Sequence, residues 1–237
     1  SVFEIQYSNT SPYYNWGGVT RGQGNLSVQQ CGVRGLNGSA AMPYAAGWST
    51  NLPAQNLAAA YAAGDQRKAV TILDIEAYKT ANPALNITYS IAPYKNTGLY
   101  NQKYLPRKGE TSGQIELNYS NNFRTIRYAE VLLMAAEANN RATAPNDVKA
   151  RGYLNQVRER AFGNAANNIN SSGATLRQAI WDERRLELGM EGDRFFDLVR
   201  TGQAATKITG FVAGKHELFP IPQVEVDISG LTQNPRY

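Results

Sequence analysis

The chain is poor in the side chains that perform chemistry. One cysteine, Cys31, and one histidine, His216, stand in 237 residues. A single thiol closes no intramolecular disulfide, and one His with one Cys cannot assemble a zinc site. No Gly-x-Ser-x-Gly, phosphate-binding Walker loop or His-Glu-x-x-His occurs, and Gly22-Gln-Gly24 lacks both the third glycine and the helix of a dinucleotide loop. No catalytic, metal-binding or cofactor-binding residue is therefore nominated. No run of about 18 apolar residues is present, which excludes a membrane-spanning helix, and no basic, apolar and small-residue leader pattern is seen. Lys and Arg number 24 against 19 acids, a net charge of +5, but they are interleaved with those acids. Without a tract of five or more basic residues, nucleic acid is not an expected partner.

What is present suits a folded domain. Apolar residues make up 42% and charged residues 18%, ordinary values for a globular chain long enough to bury one sizeable core or two small ones. The 21 glycines and 14 tyrosines tilt it toward long, turn-rich loops. Residues 2–8 alternate as a strand does, and 9–52 show no helical period and read as a long loop region. Pro53 to Ala63 reads as a short helix stopped by Gly64. Residues 65–122 hold short apolar runs broken by Pro, Gly and Asn. From Phe123 the pattern becomes helical: one helix over Phe123–Arg141 with alanines at 129, 135, 136 and 138, then a second capped by Asn146 and stopped after Phe162 by Gly163. Two helices with small contact residues have the scale of a tetratricopeptide-type unit. The expected organisation is a loop-rich region with short strands and one helix over 1–122, the candidate ligand-binding part, and a helical part with an extended tail over 123–237. The fold class is mainly α, with tetratricopeptide-like helix pairs and a loop-rich, partly β ligand-binding region.

Residues 176–200 contain a conflict. On a helix, Glu183, Glu187 and Glu191 fall at i, i+4 and i+8, a stripe of repelling carboxylates. The spacing demands neutralising cations, and Arg184, Arg185, Arg194 and Arg200 are the local supply. Gly192 is the expected helix stop, followed by a short helix over Asp193–Arg200 closed by Gly202. Glu183 and Glu187 resemble a glycosidase pair in spacing only. Crowding by arginines holds carboxylates ionised instead of raising one as an acid, so a structural ion network is the reading and no enzyme is expected.

The aromatics offer more. Tyr13, Tyr14 and Trp16 sit in a loop with no apolar period to bury them, flanked by Arg21, Gln23 and Asn25. Sugar rings pack their C–H faces on aromatic rings while amides and guanidinium groups bond the hydroxyls. Tyr13, Tyr14, Trp16, Arg21 and Asn25 are the candidate ligand-binding residues. Trp48 reads as framework, Trp181 as core, and Tyr94, Tyr100 and Tyr104 as structural.

The segment Ile180, Glu183, Arg184, Arg185, Glu187, Leu188, followed by Glu191, Gly192, Arg194, Asp197, Leu198 and Arg200, resembles the late-helix signature of the SusD/RagB family. Four further stretches resemble that family in the right order. These are 2–8; Gly47, Trp48, Pro53, Asn56 and Leu57 with Gly64, Asp65 and Arg67; 127–138; and Leu218–Pro222 with Gln233, Asn234, Pro235 and Tyr237. Family members are longer, so the resemblance implies the C-terminal part of a longer protein whose N-terminal part carries the lipid anchor. It also implies a cell-surface, lipid-anchored protein of the Bacteroidetes outer membrane. Such a protein captures an oligosaccharide or polysaccharide, or in some members a peptide, and hands it to a SusC-like TonB-dependent transporter. Two rivals predict otherwise. A helical-repeat scaffold binding only protein partners would pack Tyr13, Tyr14 and Trp16 away. A surface glycosidase would show two carboxylates facing one open cleft.

Overall fold

The computed structural model describes residues 1–10, 12–17, 22–91 and 97–237. These form two compact units, Ser1–Met190 and Glu191–Tyr237.

The first unit opens with strand β1 (Phe3–Ile5) and helices α1 (Ser27–Cys31), α2 (Gln55–Ala58) and α3 (Arg67–Thr71). Strand β2 (Ile72–Asp74) and helix α4 (Ile75–Ala81) follow, then β3 (Leu99–Asn101) and β4 (Phe123–Ile126). The long helices α5 (Tyr128–Arg141), α6 (Asp147–Phe162) and α7 (Gly173–Glu187) close the unit. Strands β2 and β3 pair antiparallel, with Leu73 opposite Tyr100, and β1 pairs antiparallel with β4, with Ile5 opposite Phe123.

The expected helix pair is there. Asn146 caps α6 by accepting the Lys149 N–H, and Gly163 ends it at φ +73°, a left-handed geometry that glycine adopts without strain. Ala129, Ala136 and Ala150 are buried between α5 and α6 among Leu132, Leu133, Leu154 and Val157, and α7 adds Leu176 and Ile180. Small side chains let the helix axes approach, while the leucines fill the remaining space. A second cluster, Val33, Met42, Tyr44, Leu73, Ile75, Ile87, Tyr100 and Leu105, forms the core of the loop-rich region.

Several boundaries depart from expectation. The helix expected over Pro53 to Ala63 forms only over Gln55–Ala58. Phe123–Ile126 is strand, not the start of a helix, because it pairs with β1 and Arg127 enters α5 from extended geometry. In the 9–52 loop region a short helix, α1, forms where Asn25 Oδ1 takes the Ser27 N–H and Val28 and Cys31 turn inward. Helix α7 ends at Glu187, before Gly192. Its last carbonyls are satisfied from outside the helix: Tyr61 donates to Leu186 O, while Lys103 Nζ and Arg127 Nη2 donate to Glu187 O, each at 2.9 Å. Cations at a helix C-terminus also meet the negative end of its dipole.

Glu183 and Glu187 are neutralised, but by other arginines than the sequence neighbourhood suggested. Arg67 sits among Asp65 at 2.7 Å, Glu183 at 2.6 Å and Glu187 at 3.2 Å. Arg158 reaches Glu183 at 2.5 Å, and Glu187 is met by Arg127 at 2.7 Å and Arg160 at 2.5 Å. Arg184 and Arg185, one and two positions along from Glu183, face away from that stripe. They pair with Glu130 and Asn56 instead. Glu191 and Arg194 belong to the second unit.

That second unit holds α8 (Arg194–Arg200), α9 (Ala204–Lys207) and α10 (Gln223–Ser229). Phe195 stands against Phe196, Phe211 and Phe219, with ring centroids 5.6–6.4 Å apart. Pro220 and Pro222 hold the tail extended, so its backbone groups need partners outside any helix. The Gln233 amide supplies them, accepting from Ile221 N–H and donating to Ile221 O, both at 2.8 Å.

Candidate functional site

The loop carrying Tyr13, Tyr14 and Trp16 lies along residues 110–122 of the first unit, and asparagine side chains join the two. The Asn118 amide brackets Tyr14. Its Oδ1 accepts the Tyr14 N–H and its Nδ2 donates to Tyr14 O, both at 3.0 Å, with a further bond to Gln114 O at 2.9 Å. Asn118 thus substitutes for a strand partner, and at 1% exposure it does so away from competing water. Asn122 Oδ1 accepts the Tyr7 N–H, and Asn25 N–H donates to Tyr119 O. Gly24 permits the approach: a Cβ there would stand 2.3 Å from Asn118 Cα. Replacing Asn118 with Ala strands two backbone groups, Tyr14 N–H and Tyr14 O, and we expect a loss of about 1–2 kcal/mol in chemical denaturation. A denaturation midpoint equal to wild type would contradict the bracketing role.

On this seam the aromatic rings take different stations. Tyr13 lies against Gly113, whose Cβ would fall 2.6 Å from the Tyr13 ring, and Tyr14 covers Gly22 in the same way. Trp16 remains 58% exposed. It stacks on Trp48 with centroids 6.0 Å apart and an interplanar angle of 28°. Its indole N–H donates to Glu116 Oε2 at 3.1 Å. One face of the Trp16 ring is thus backed by Trp48, its edge is tethered, and the ring stays open to solvent. A ring fixed in this way loses little freedom when a ligand settles on it.

The other nominated residues divide. Arg21 lies outside the described residues, as does Tyr94. Asn25 is 2% exposed, and its amide bonds Asn121 O and Ser27, so it holds the loop in place and does not reach solvent. That is a correction, with a plain cause: an Asn two residues ahead of Ser27 serves the start of α1. Tyr100 and Tyr104 are buried as expected. Trp181, expected in the core, is only half-buried and lies under Arg177, whose guanidinium is 5.8 Å from the ring centroid. Trp48, read as framework, turns out to back Trp16. Nothing local in the sequence pairs positions 16 and 48, and only the fold does. Glu116 was missed for the same reason.

The site is acidic where it is described. Burial pushes the Tyr119 hydroxyl up to about 12, and Glu116 and Glu110 add in the same direction. Cys31 is buried against Asn51 and Asn101, and burial pushes its thiol up to about 11, so it is protonated at neutral pH. Glu183 and Glu187 are buried at 1% and 4% exposure and engaged by arginines, not set in an open cleft. Among the described residues no group of three or more His, Cys, Asp or Glu is placed to hold a metal ion. No described helix is long and apolar enough to cross a membrane.

Comparison with known proteins agrees with this architecture. The chain is similar to the SusD-like protein P2 of Formosa agariphila, 31% identical over 204 residues, covering 82% of this chain and 39% of that protein. Among solved structures it resembles a laminarin-binding SusD-like protein with a TM-score of 0.83 at 36% identity. That match covers 100% of this chain and 50% of the other. It also resembles surface glycan-binding protein A from Bacteroides thetaiotaomicron in complex with laminarihexaose, with a TM-score of 0.77 at 29% identity, covering 99% and 51%. The chain therefore spans about half or less of the length of these relatives. The SusD family model matches residues 1–237, from β1 to the terminal tyrosine, and the chain belongs to the SusD family.

Proposed function

We propose that the protein captures an oligosaccharide or polysaccharide at the outer cell surface and passes it to a SusC-like TonB-dependent transporter, without bond chemistry. In this reading it is held at the outer membrane by a lipid anchor in the full-length protein. Family membership supports the assignment to a glycan-uptake system. The observation that carries it in this chain is the Trp16 ring, 58% exposed yet fixed by Trp48 and Glu116. A scaffold that binds only protein partners predicts that ring packed away. Tyr13 and Trp16 form the platform, Tyr14 and Asn118 position it, and laminarin is the first ligand to test because two solved relatives bind laminarin or its hexasaccharide.

The test is a titration of intrinsic fluorescence with a glycan panel led by laminarin. Only Trp16, Trp48 and Trp181 emit strongly, and only Trp16 is open on the platform. We expect a saturable change that Trp16→Ala abolishes, with affinity falling at least about tenfold, as for removal of an aromatic anchor. No response to any glycan from folded wild-type protein would refute the reading. Accumulation of hydrolysed product would refute its non-enzymatic part.

A further inference from the structure

Glu116 is a half-buried carboxylate with a specific partner. Its Oε2 accepts the indole N–H of Trp16, the most exposed aromatic ring of the platform. Among the described residues no donor meets its second oxygen, Oε1. Glu116 sits in a loop held on both sides: before it Thr111 Oγ1 donates to Ile115 O at 2.6 Å, and after it Leu117 and Tyr119 are buried and Asn118 grips Tyr14. The loop backbone therefore holds Glu116 within reach of the ring edge.

Within residues 110–122 the charged side chains, Glu110 and Glu116, are both negative. Glu110 lies in the same loop and, with Glu116, acts on Tyr119 as a negative charge. The two cations just ahead of that loop are directed elsewhere. The Arg107 guanidinium stands 5.5 Å over the Tyr44 ring, and Lys108 Nζ points to Ser39 O. A carboxylate oxygen has only acceptor capacity, so it bonds hydroxyl donors and repels carboxylate and sulfate groups. The chain as a whole carries a net charge of +5, which by itself would favour anionic polymers. Selection against them has to be local.

We propose that Glu116 is a specificity-determining residue of this site. It fixes the Trp16 ring through Oε2 and offers Oε1 to the hydroxyls of a neutral sugar stacked there, while excluding uronate and sulfated units. The proposal rests on the glycan-binding reading above and adds to it the ligand's charge class. Carboxylates are strong hydroxyl acceptors because the bond is charge-assisted. The same charge placed beside a uronate costs affinity at short range, and the cost is reduced by salt.

The experiment separates positioning from selection. Near-ultraviolet circular dichroism of the free protein reports the asymmetric Trp16–Trp48 stack without any ligand. Calorimetric titration then compares laminarihexaose with the same hexasaccharide oxidised to carboxylate at C6. Wild type should prefer the neutral sugar. Glu116→Gln keeps an oxygen for the indole N–H, so the dichroism should persist while the preference for the neutral sugar shrinks roughly tenfold at low salt. Glu116→Ala removes the tether, so the dichroism should change and laminarihexaose affinity should fall on the order of tenfold. Trp16→Phe, which keeps a ring but no N–H donor, should lose the effect of Glu116→Ala on affinity in part. If the neutral sugar binds and Glu116→Gln leaves the preference unchanged, the selective role is overturned and the glycan-binding reading stands. If Glu116→Ala leaves both spectrum and affinity unchanged, the positioning role is overturned. If wild type binds neither sugar nor any other glycan, both the proposal and the reading beneath it fall.

Discussion

Arg67→Ala should be the most damaging single substitution in the chain, with an expected loss of about 3–5 kcal/mol of folding stability. The expectation follows from what the guanidinium leaves behind. Arg67 is 8% exposed and lies among three carboxylates: Asp65, gripped through two bonds at 2.9 and 2.7 Å, Glu183 and Glu187. Its own burial disfavours the charged form, but those carboxylates outweigh that and hold the guanidinium more firmly protonated than usual. Glu183 retains Arg158, and Glu187 retains Arg127 and Arg160. Asp65 has a side chain with no measurable exposure, and Arg67 is its ion-pair partner, so it becomes a buried charge without a counter-ion. Arg67→Lys should recover only part of the loss, because one ammonium cannot reproduce the planar fork that reaches Asp65 and Glu183 together. All three tryptophans lie in the same unit as Arg67, so urea unfolding followed by their fluorescence measures the relevant transition. A loss below about 1 kcal/mol would mean that the cluster is a surface-like ion pair of little consequence.

That cluster also shows what the sequence could and could not reveal. Three glutamates at helical spacing announce a charge conflict, and the conflict is resolved as a network. Which cations resolve it is a question of tertiary contact. Arg67 is 116 residues from Glu183, and only the fold of Gly64, Asp65 and Arg67 against α7 brings them together. The local candidates, Arg184 and Arg185, were eliminated by helical angle, a constraint the sequence itself carries. The cap residues Asn146 and Gly163 were legible because capping is a local transaction between a side chain and the next turn. The end of α7 was not, since Tyr61, Lys103 and Arg127 terminate it from distant parts of the chain.

The site divides along the same line. Tyr13 and Trp16 were legible as candidates because an aromatic cluster without apolar period is unusual in itself. Trp48, Glu116 and Asn118 carry no comparable mark. Each matters through one partner, Trp16 for the first two and Tyr14 for the third, 32 to 104 residues away. Asn25 was misassigned because a polar residue beside aromatics reads equally as a sugar contact or a turn residue, and burial alone decides between them.

The second large effect concerns acid. Burial by itself would raise the Glu187 carboxyl. Hydrogen bonds and charge from Arg160 and Arg127 outweigh burial, however, and hold it at about 2 against an ordinary 4.5. A carboxyl depressed in the folded state stabilises the fold above its unfolded value and loses that contribution as pH falls toward the folded value. A separation of this size corresponds to about 3 kcal/mol at neutral pH, with more than half gone by about pH 3. Glu4, Asp147 and Glu217 are also lowered, in each case by hydrogen bonds to the charged form, and add to the same trend. Urea midpoints should therefore be flat from about pH 7 to 5 and fall steeply below about 4.5. Glu187→Gln should begin with lower stability at pH 7 and show a shallower fall below 4.5, since the group that titrates in that window is gone. The amide still accepts from an arginine, so the variant retains the geometry while losing the charge. Parallel pH profiles for wild type and Glu187→Gln would show that the acid response originates elsewhere, and the arginine cage around α7 would then be a matter of geometry, with little electrostatic consequence for folding.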